Sequence, residues 1–218
     1  MRFTSDAVRS AMLLYAITDR SWLKPGESLT DVTARVLDAG ATFLQIREKD
    51  LSPDSFEAEA EALRALCEKR RVPFVVNDNV EIALQCGADG VHVGQSDIVG
   101  RDVRKLIGPD KLLGISAGTV SEAQAAEAAG ADYVGVGAVF GTSTKKDARC
   151  MTVERLREIA ESVSIPVVAI GGINAENIPL LAGSGIDGVA VISAIFGAPD
   201  PAAATEELLS RVREIVQA

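Results

Sequence analysis

Four stretches of the chain repeat one pattern: Gly40–Ile46 (GATFLQI), Gly87–Val93 (GADGVHV), Gly130–Val136 (GADYVGV) and Gly185–Val191 (GIDGVAV). In each, a glycine and a polar residue precede an apolar run. The glycines stand 47, 43 and 55 residues apart, and each interval has room for two strand–helix units. Repeated strand–helix units imply parallel strands joined by right-handed crossovers.

The strand candidates number eight: Leu13–Thr18, Thr42–Arg47, Pro73–Asn77, Asp89–Val93, Lys111–Ser116, Asp132–Gly137, Pro166–Gly171 and Asp187–Ser193. They are short and almost continuously apolar, as parallel strands covered on both faces must be. Apolar stripes at helical spacing fall between them, such as Phe56, Ala60, Leu63, Leu66 and Cys67, then Val153, Leu156, Ile159, Ala160 and Val163, and finally Leu208, Leu209, Val212, Ile215 and Val216,. Ser52-Pro53 and Asp200-Pro201 each place a capping side chain before a proline suited to the first helical position,. Gly40, Gly87, Gly130 and Gly185 are expected to close the helices that precede strands,. Eight units in 218 residues is about 27 residues per unit,. The expected fold is an α/β (β/α)8 TIM barrel, a single compact domain over residues 1–218. An open doubly wound sheet is the main alternative, and the absence of an edge-strand signature favours closure.

Hydrophobic residues make up 47% of the chain, enough for one sizeable core, and aromatics only 4%, so Val, Ile, Leu and Ala must build it,. A net charge of -9 argues against nucleic acid or an anionic membrane as a partner,. Anions must therefore be bound by local clusters. Cys67, Cys86 and Cys150 lack Cys-x-x-Cys spacing, which points to a reducing compartment rather than a disulfide framework or zinc site, and Cys67 and Cys86, on apolar helix positions, read as buried filler,. No signal-like or 18-residue apolar segment is seen, so a cytoplasmic protein without a membrane span is expected.

In a barrel of this type the loops after the strands carry function. After the second strand, alternation sends Gln45, Arg47 and Lys49 to one side,. An Arg fork with a Lys charge suits a diphosphate, although a solvated charged loop reads the same way. After the third and fourth strands come Asn77-Asp78-Asn79 and Gln95-Ser96-Asp97. Asp78 and Asp97 are either helix caps or, because those strands are neighbours, a carboxylate pair for Mg2+ shared with substrate phosphates. His92, the single histidine, is expected to be packed or hydrogen-bonded inside its strand rather than to act as a general base. Ser116 either donates to a phosphate oxygen or caps a helix. The long loop Phe140–Ala148 carries hydroxyls and lysines suited to an oxyanion-binding lid,. Gly171-Gly172, and Ile192-Ser193 before a short helical turn, form the loops after strands seven and eight, the usual phosphate site of this fold,. The rim thus offers two anion sites of different character, which implies two substrates.

Taken in order, QIREK, VND, HVGQSD, GISAGT, GTSTKKDA, AIGGI and VISAI resemble the thiamine phosphate synthase (thiamin-phosphate diphosphorylase) family from Tyr15 to Ile195. The resemblance implies a transferase that joins hydroxymethylpyrimidine diphosphate to a thiazole phosphate, releasing diphosphate, with loss of CO2 from a carboxylated thiazole. It implies that Gln45, Ile46, Arg47, Glu48, Lys49, Asn77, Ser116 and Lys145 contact the pyrimidine diphosphate, with Arg47, Lys49, Lys145 and Ser116 catalytic. It implies Mg2+ as cofactor on Asp78 and Asp97. Thr142, Ser143, Thr144, Gly171 or Gly172, Ile192 and Ser193 would hold the thiazole phosphate. Gly141 stands where the family usually has proline. The partners implied are small molecules, and a homodimer is compatible with the sequence. A thiazole tautomerase on the same fold is the alternative, but it would leave QIREK, the paired aspartates and the TSTK segment idle. A non-catalytic phosphate sensor would need only one anion site. An isomerase would need an acid–base pair that is not evident.

Overall fold

The computed structural model describes residues 3–141 and 151–216. Eight parallel strands pair in chain order and close on themselves: β1 (Leu14–Ile17), β2 (Phe43–Ile46), β3 (Phe74–Asn77), β4 (Gly90–Val93), β5 (Leu112–Ala117), β6 (Tyr133–Val136), β7 (Val167–Ile170) and β8 (Gly188–Val191). The last joins the first, with Tyr15 opposite Ala190. This is the closed (β/α)8 barrel expected from the repeat, and the open-sheet alternative falls away. Outside it run α1 (Ser5–Ala11), α2 (Leu29–Asp38), α3 (Pro53–Arg70), α4 (Val80–Gln85), α5 (Val103–Ile107), α6 (Val120–Ala128), α7 (Val153–Glu161), α8 (Ser193–Phe196) and α9 (Pro201–Val216). Among the described residues, no helix is long and apolar enough to cross a membrane.

Helix ends follow the local chemistry. Ser52 accepts from Ser55 N ahead of Pro53, and Asp200 accepts from Ala202 N and Ala203 N ahead of Pro201. The crossover between β7 and β8 departs from the expected α-helix and is a 3-10 helix, Ile178–Leu181. Pro179 removes a backbone donor there, and Gly183 and Gly185, both at positive φ, end the turn before a second α-helical turn can form,.

The polar residue of the repeat has a structural task. Thr42, Asp89, Asp132 and Asp187 each sit just before an even-numbered strand. Each accepts a hydrogen bond from a backbone N–H at the start of the preceding odd strand: Leu14 N to Thr42 Oγ1 at 2.8 Å, Phe74 N to Asp89 Oδ2 at 2.9 Å, Leu113 N to Asp132 Oδ2 at 2.8 Å and Val167 N to Asp187 Oδ2 at 2.8 Å. The fourfold sequence pattern is thus a fourfold clamp at the N-terminal end of the barrel. Arg104 and Arg9 pair with the Asp132 and Asp187 carboxylates. Burial pushes the Asp89 carboxyl up, opposed by the bond from Phe74 N.

The core has two layers. Between strands and helices lie residues such as Leu44, Ile46, Val76, Leu63 and Leu208. Inside the barrel lie Tyr15, Phe43, Val75, Leu112, Tyr133 and Val168, with Val8 and Met12 of the α1 region in the same cluster. The rings of Tyr15, Phe43 and Tyr133 pack with centroids 4.5 to 6.0 Å apart. Glycine makes their room: a Cβ on Gly114 would lie 2.2 Å from Tyr133 Cζ and 2.5 Å from His92 Nδ1. Cys67 and Cys86 are free and buried, and burial pushes the Cys67 thiol up to about 12. Cys150 lies outside the described residues.

Asp132→Ala is expected to cost about 1–3 kcal/mol in urea unfolding, because it strands the Leu113 N–H and removes the one carboxylate partner of Arg104 among the described residues,. An unchanged midpoint would show that the clamp contributes nothing.

Candidate active site

The C-terminal ends of the strands surround a cavity of about 180 Å3, room for one heterocycle, with Arg47 in its lining,. Its floor is polar at the centre. Gln45 Nε2 donates to the Tyr15 hydroxyl at 2.5 Å, the Tyr15 and Tyr133 hydroxyls lie 2.9 Å apart, Tyr133 meets His92 Nδ1 at 3.1 Å, and His92 Nε2 meets Ser116 Oγ at 3.0 Å. Five side chains from β1, β2, β4, β5 and β6 therefore form one connected chain across the barrel. Burial raises the pKa of both tyrosines well above the ordinary phenol value, so both remain protonated. His92 is hydrogen-bonded inside its strand, as its position suggested. Tyr15 and Tyr133 escaped the sequence reading. The available signal was that both tyrosines of the chain fall at inward-facing strand positions, where a buried hydroxyl needs a partner,.

Gln45 and Arg47 face the cavity together, and Asn77 from the end of β3 joins that wall. Arg47 makes no ion pair among the described residues, and its N–H donates to Thr18 Oγ1 at 3.0 Å. The alternation that turns Gln45 and Arg47 inward turns Ile46 and Glu48 outward. Ile46 packs in the layer between strands and helices. Glu48 Oε2 accepts from Arg20 Nε at 2.8 Å, and Arg20 also pairs with Glu59. Burial pushes the Glu48 carboxyl up while the Arg20 guanidinium opposes it. Neither side chain lines the cavity. Lys49 is exposed at the rim.

Asp78 and Asp97 follow the paired strands β3 and β4. Asp78 sits at φ +61, and its N–H donates to the His92 carbonyl at 2.8 Å. Asp97 Oδ2 accepts from Gly94 N at 2.8 Å. Neither caps a helix: Asn79 caps α4 and Asp102 caps α5. Nor does Ser116 cap α6, which Thr119 does. No group of three or more His, Cys, Asp or Glu that could hold a metal occurs among the described residues. A carboxylate pair leaves a hard cation to complete its shell with water and phosphate oxygens, the habit of Mg2+.

The opposite wall is backbone-rich. Gly171 and Gly172 lie at φ +103 and +67, and Ile192 and Ser193 lead into the four-residue α8. The loop after β6 is laid along the end of β7 by bonds from Val139 N to Ile170 O at 3.0 Å and Phe140 N to Gly171 O at 2.9 Å. A Cβ on Gly172 would lie 2.3 Å from the Gly141 carbonyl oxygen. Only glycine permits that approach. Thr142, Ser143, Thr144 and Lys145 lie outside the described residues.

The model of the family described as thiamine monophosphate synthase matches residues 14–195. A protein named thiamine-phosphate synthase from Clostridium tetani is 47% identical over 195 residues, covering 89% of this chain and 93% of that protein. One of the same name from Ruminiclostridium cellulolyticum is 48% identical over 196 residues, covering 90% and 93%. The solved structure of thiamine phosphate pyrophosphorylase from Pyrococcus furiosus superposes with a TM-score of 0.87 at 41% identity, covering 96% of this chain and 99% of that one.

The neighbours Arg47 and Glu48 are expected to respond differently to mutation. Arg20→Ala, which leaves the Glu48 carboxylate buried beside Glu59, should lower unfolding stability by about 1–3 kcal/mol, discounted for the exposed side of Arg20,. Arg47→Ala should stay within about 0.5 kcal/mol and instead weaken inorganic diphosphate binding in calorimetry. Equal effects from the two variants would contradict the division of labour.

Proposed function

The chain belongs to the thiamine monophosphate synthase family, and we propose that it joins 4-amino-2-methyl-5-hydroxymethylpyrimidine diphosphate to a thiazole phosphate, giving thiamine phosphate and diphosphate, or to its carboxylated form, giving the same products and CO2. The observation that carries this is one cavity with two unlike walls: Gln45, Arg47 and Asn77 on one side, Gly171, Gly172 and Ser193 on the other. The relatives reported above are named as synthases, so the tautomerase alternative has no support.

The thiazole nitrogen forms a bond to the pyrimidine methylene carbon, and the carbon–oxygen bond to diphosphate breaks with its electron pair leaving on oxygen. The ring amine feeds electrons into the methylene carbon, so the two events need not be simultaneous. No strong general base is required. Catalysis then consists of positioning and of stabilising the leaving charge. Arg47, Lys49 and Lys145 supply positive charge, while Gln45, Asn77 and Ser116 orient the pyrimidine diphosphate; Ile46 and Glu48 are left only backbone contacts. Asp78 and Asp97 suit Mg2+, which when bound neutralises departing diphosphate oxygens. Thr142, Ser143, Thr144, Gly171 or Gly172, Ile192 and Ser193 hold the thiazole phosphate through hydroxyls and backbone N–H groups. Water displaced from the cavity when both substrates fill it would be unable to capture the activated methylene carbon. Residues 1–218 then act as one catalytic unit in a reducing cytoplasm, to which the free thiols Cys67 and Cys86 are suited, and a homodimer is compatible with that unit.

With both substrates and Mg2+, thiamine phosphate and diphosphate should form in equal amounts, and no product with either thiazole form would reject the proposal. Asp78→Ala should lower kcat/KM about a hundredfold or more; a fully active, Mg2+-dependent variant would remove Asp78 from the metal site. Lys145→Ala should lower kcat far more than it weakens thiazole phosphate binding, and equal losses would count against its role at the leaving group.

A further inference from the structure

The five-member chain on the cavity floor has a direction. Each tyrosine hydroxyl has one proton to give. Gln45 presents Nε2 to Tyr15, so the Tyr15 oxygen accepts and its own proton goes to Tyr133. The Tyr133 proton then goes to His92 Nδ1. A bare Nδ1 requires the neutral His92 tautomer protonated at Nε2, which donates to Ser116 Oγ,. Two groups remain for a ligand: the Gln45 carbonyl at one end and the Ser116 hydroxyl proton at the other. Flipping the amide would reverse every bond, so that the cavity met an amide NH2 and a hydroxyl acceptor instead.

We infer that Tyr133, together with Tyr15 and His92, is a positioning residue whose one-way hydrogen-bond chain sets the Gln45 amide with its carbonyl toward the ligand, selecting a heterocycle that presents an exocyclic amine over one that presents a carbonyl. The inference rests on the aminopyrimidine reading of this cavity. It is specific to the tyrosine oxygens: the rings serve the apolar core, and glycine at 114 and 135 gives Tyr133 and His92 the space to meet. Apart from Thr33, Glu48 and Arg64, the described residues contain no buried side-chain polar atom without a partner, so inside the chain each link is a made hydrogen bond and only its two ends, the Gln45 carbonyl and the Ser116 hydroxyl proton, are left for a ligand,.

His92 is the single histidine of the sequence, so histidine-labelled full-length protein gives one imidazole in a 15N NMR spectrum. At pH 8 without substrate, Nδ1 is expected to be unprotonated and Nε2 protonated. The opposite tautomer, or an imidazolium, would overturn the inference, and this readout stands whether or not the protein makes thiamine phosphate. In parallel, Tyr133→Phe keeps the ring and removes the oxygen. It is expected to cut the preference for the 4-amino pyrimidine diphosphate over its 4-oxo analogue about tenfold, raising KM for the pyrimidine while kcat stays within about threefold. An unchanged preference, or equal losses for both analogues, would overturn it. Tyr15→Phe, which cuts the chain at its other end, must give the same loss of preference and serves if Tyr133→Phe does not fold.

Discussion

The hydrogen-bond chain from Gln45 through Tyr15, Tyr133 and His92 to Ser116 divides the barrel interior in two. A closed eight-stranded barrel must fill its centre with side chains. Toward the N-terminal end it does so with apolar residues, among them Phe43, Val75, Leu112 and Val168. Above that layer the filling turns polar. A buried polar group without a partner costs far more than a satisfied one contributes. The change of character is therefore tolerable only because five strands supply complementary atoms at one level. The rings that end the apolar layer carry the hydroxyls that begin the polar one, so the core of the fold is also the floor of the site.

Stability and function occupy opposite ends. The Thr42, Asp89, Asp132 and Asp187 clamps tie odd strands to even ones at the N-terminal end. The C-terminal ends are left to loops with other tasks. Asp78 at φ +61, and Gly172 packed against the Gly141 carbonyl, are held in conformations that a loop chosen only for stability would not need,.

The strands and their closure were legible because parallel strands covered on both faces are nearly all apolar and because the repeat gave their spacing. Gln45, Arg47, Asn77, Ser116, Gly171, Gly172, Ile192 and Ser193 were legible because they sit at or just beyond the C-terminal ends of strands, and all line the cavity. Ile46 and Glu48 came in with their motif, yet strand alternation turns their side chains away from the cavity. A contiguous motif is not a contiguous surface. The Tyr15–Tyr133 link joins residues 118 apart in sequence, and only the closure of the barrel brings them together. The 3-10 helix at Ile178–Leu181 reflects Pro179 and nearby glycines overriding a helical expectation. The meaning of the repeated polar residue was equally hidden, since its partner lies in the strand before it.

Under the proposed function, the two walls of the cavity would hold two anions at once, a diphosphate beside Arg47 and a monophosphate beside Gly172 and Ser193, with the new carbon–nitrogen bond between them. A crystal structure with thiamine phosphate, diphosphate and Mg2+ tests this most directly. Diphosphate should lie against Arg47 and Asn77, with the metal between it and Asp78 and Asp97. The thiamine phosphate group should lie against Gly172 and Ser193, and the aminopyrimidine should meet the Gln45 carbonyl. Both anions on one wall, or the pyrimidine outside the cavity, would contradict the account.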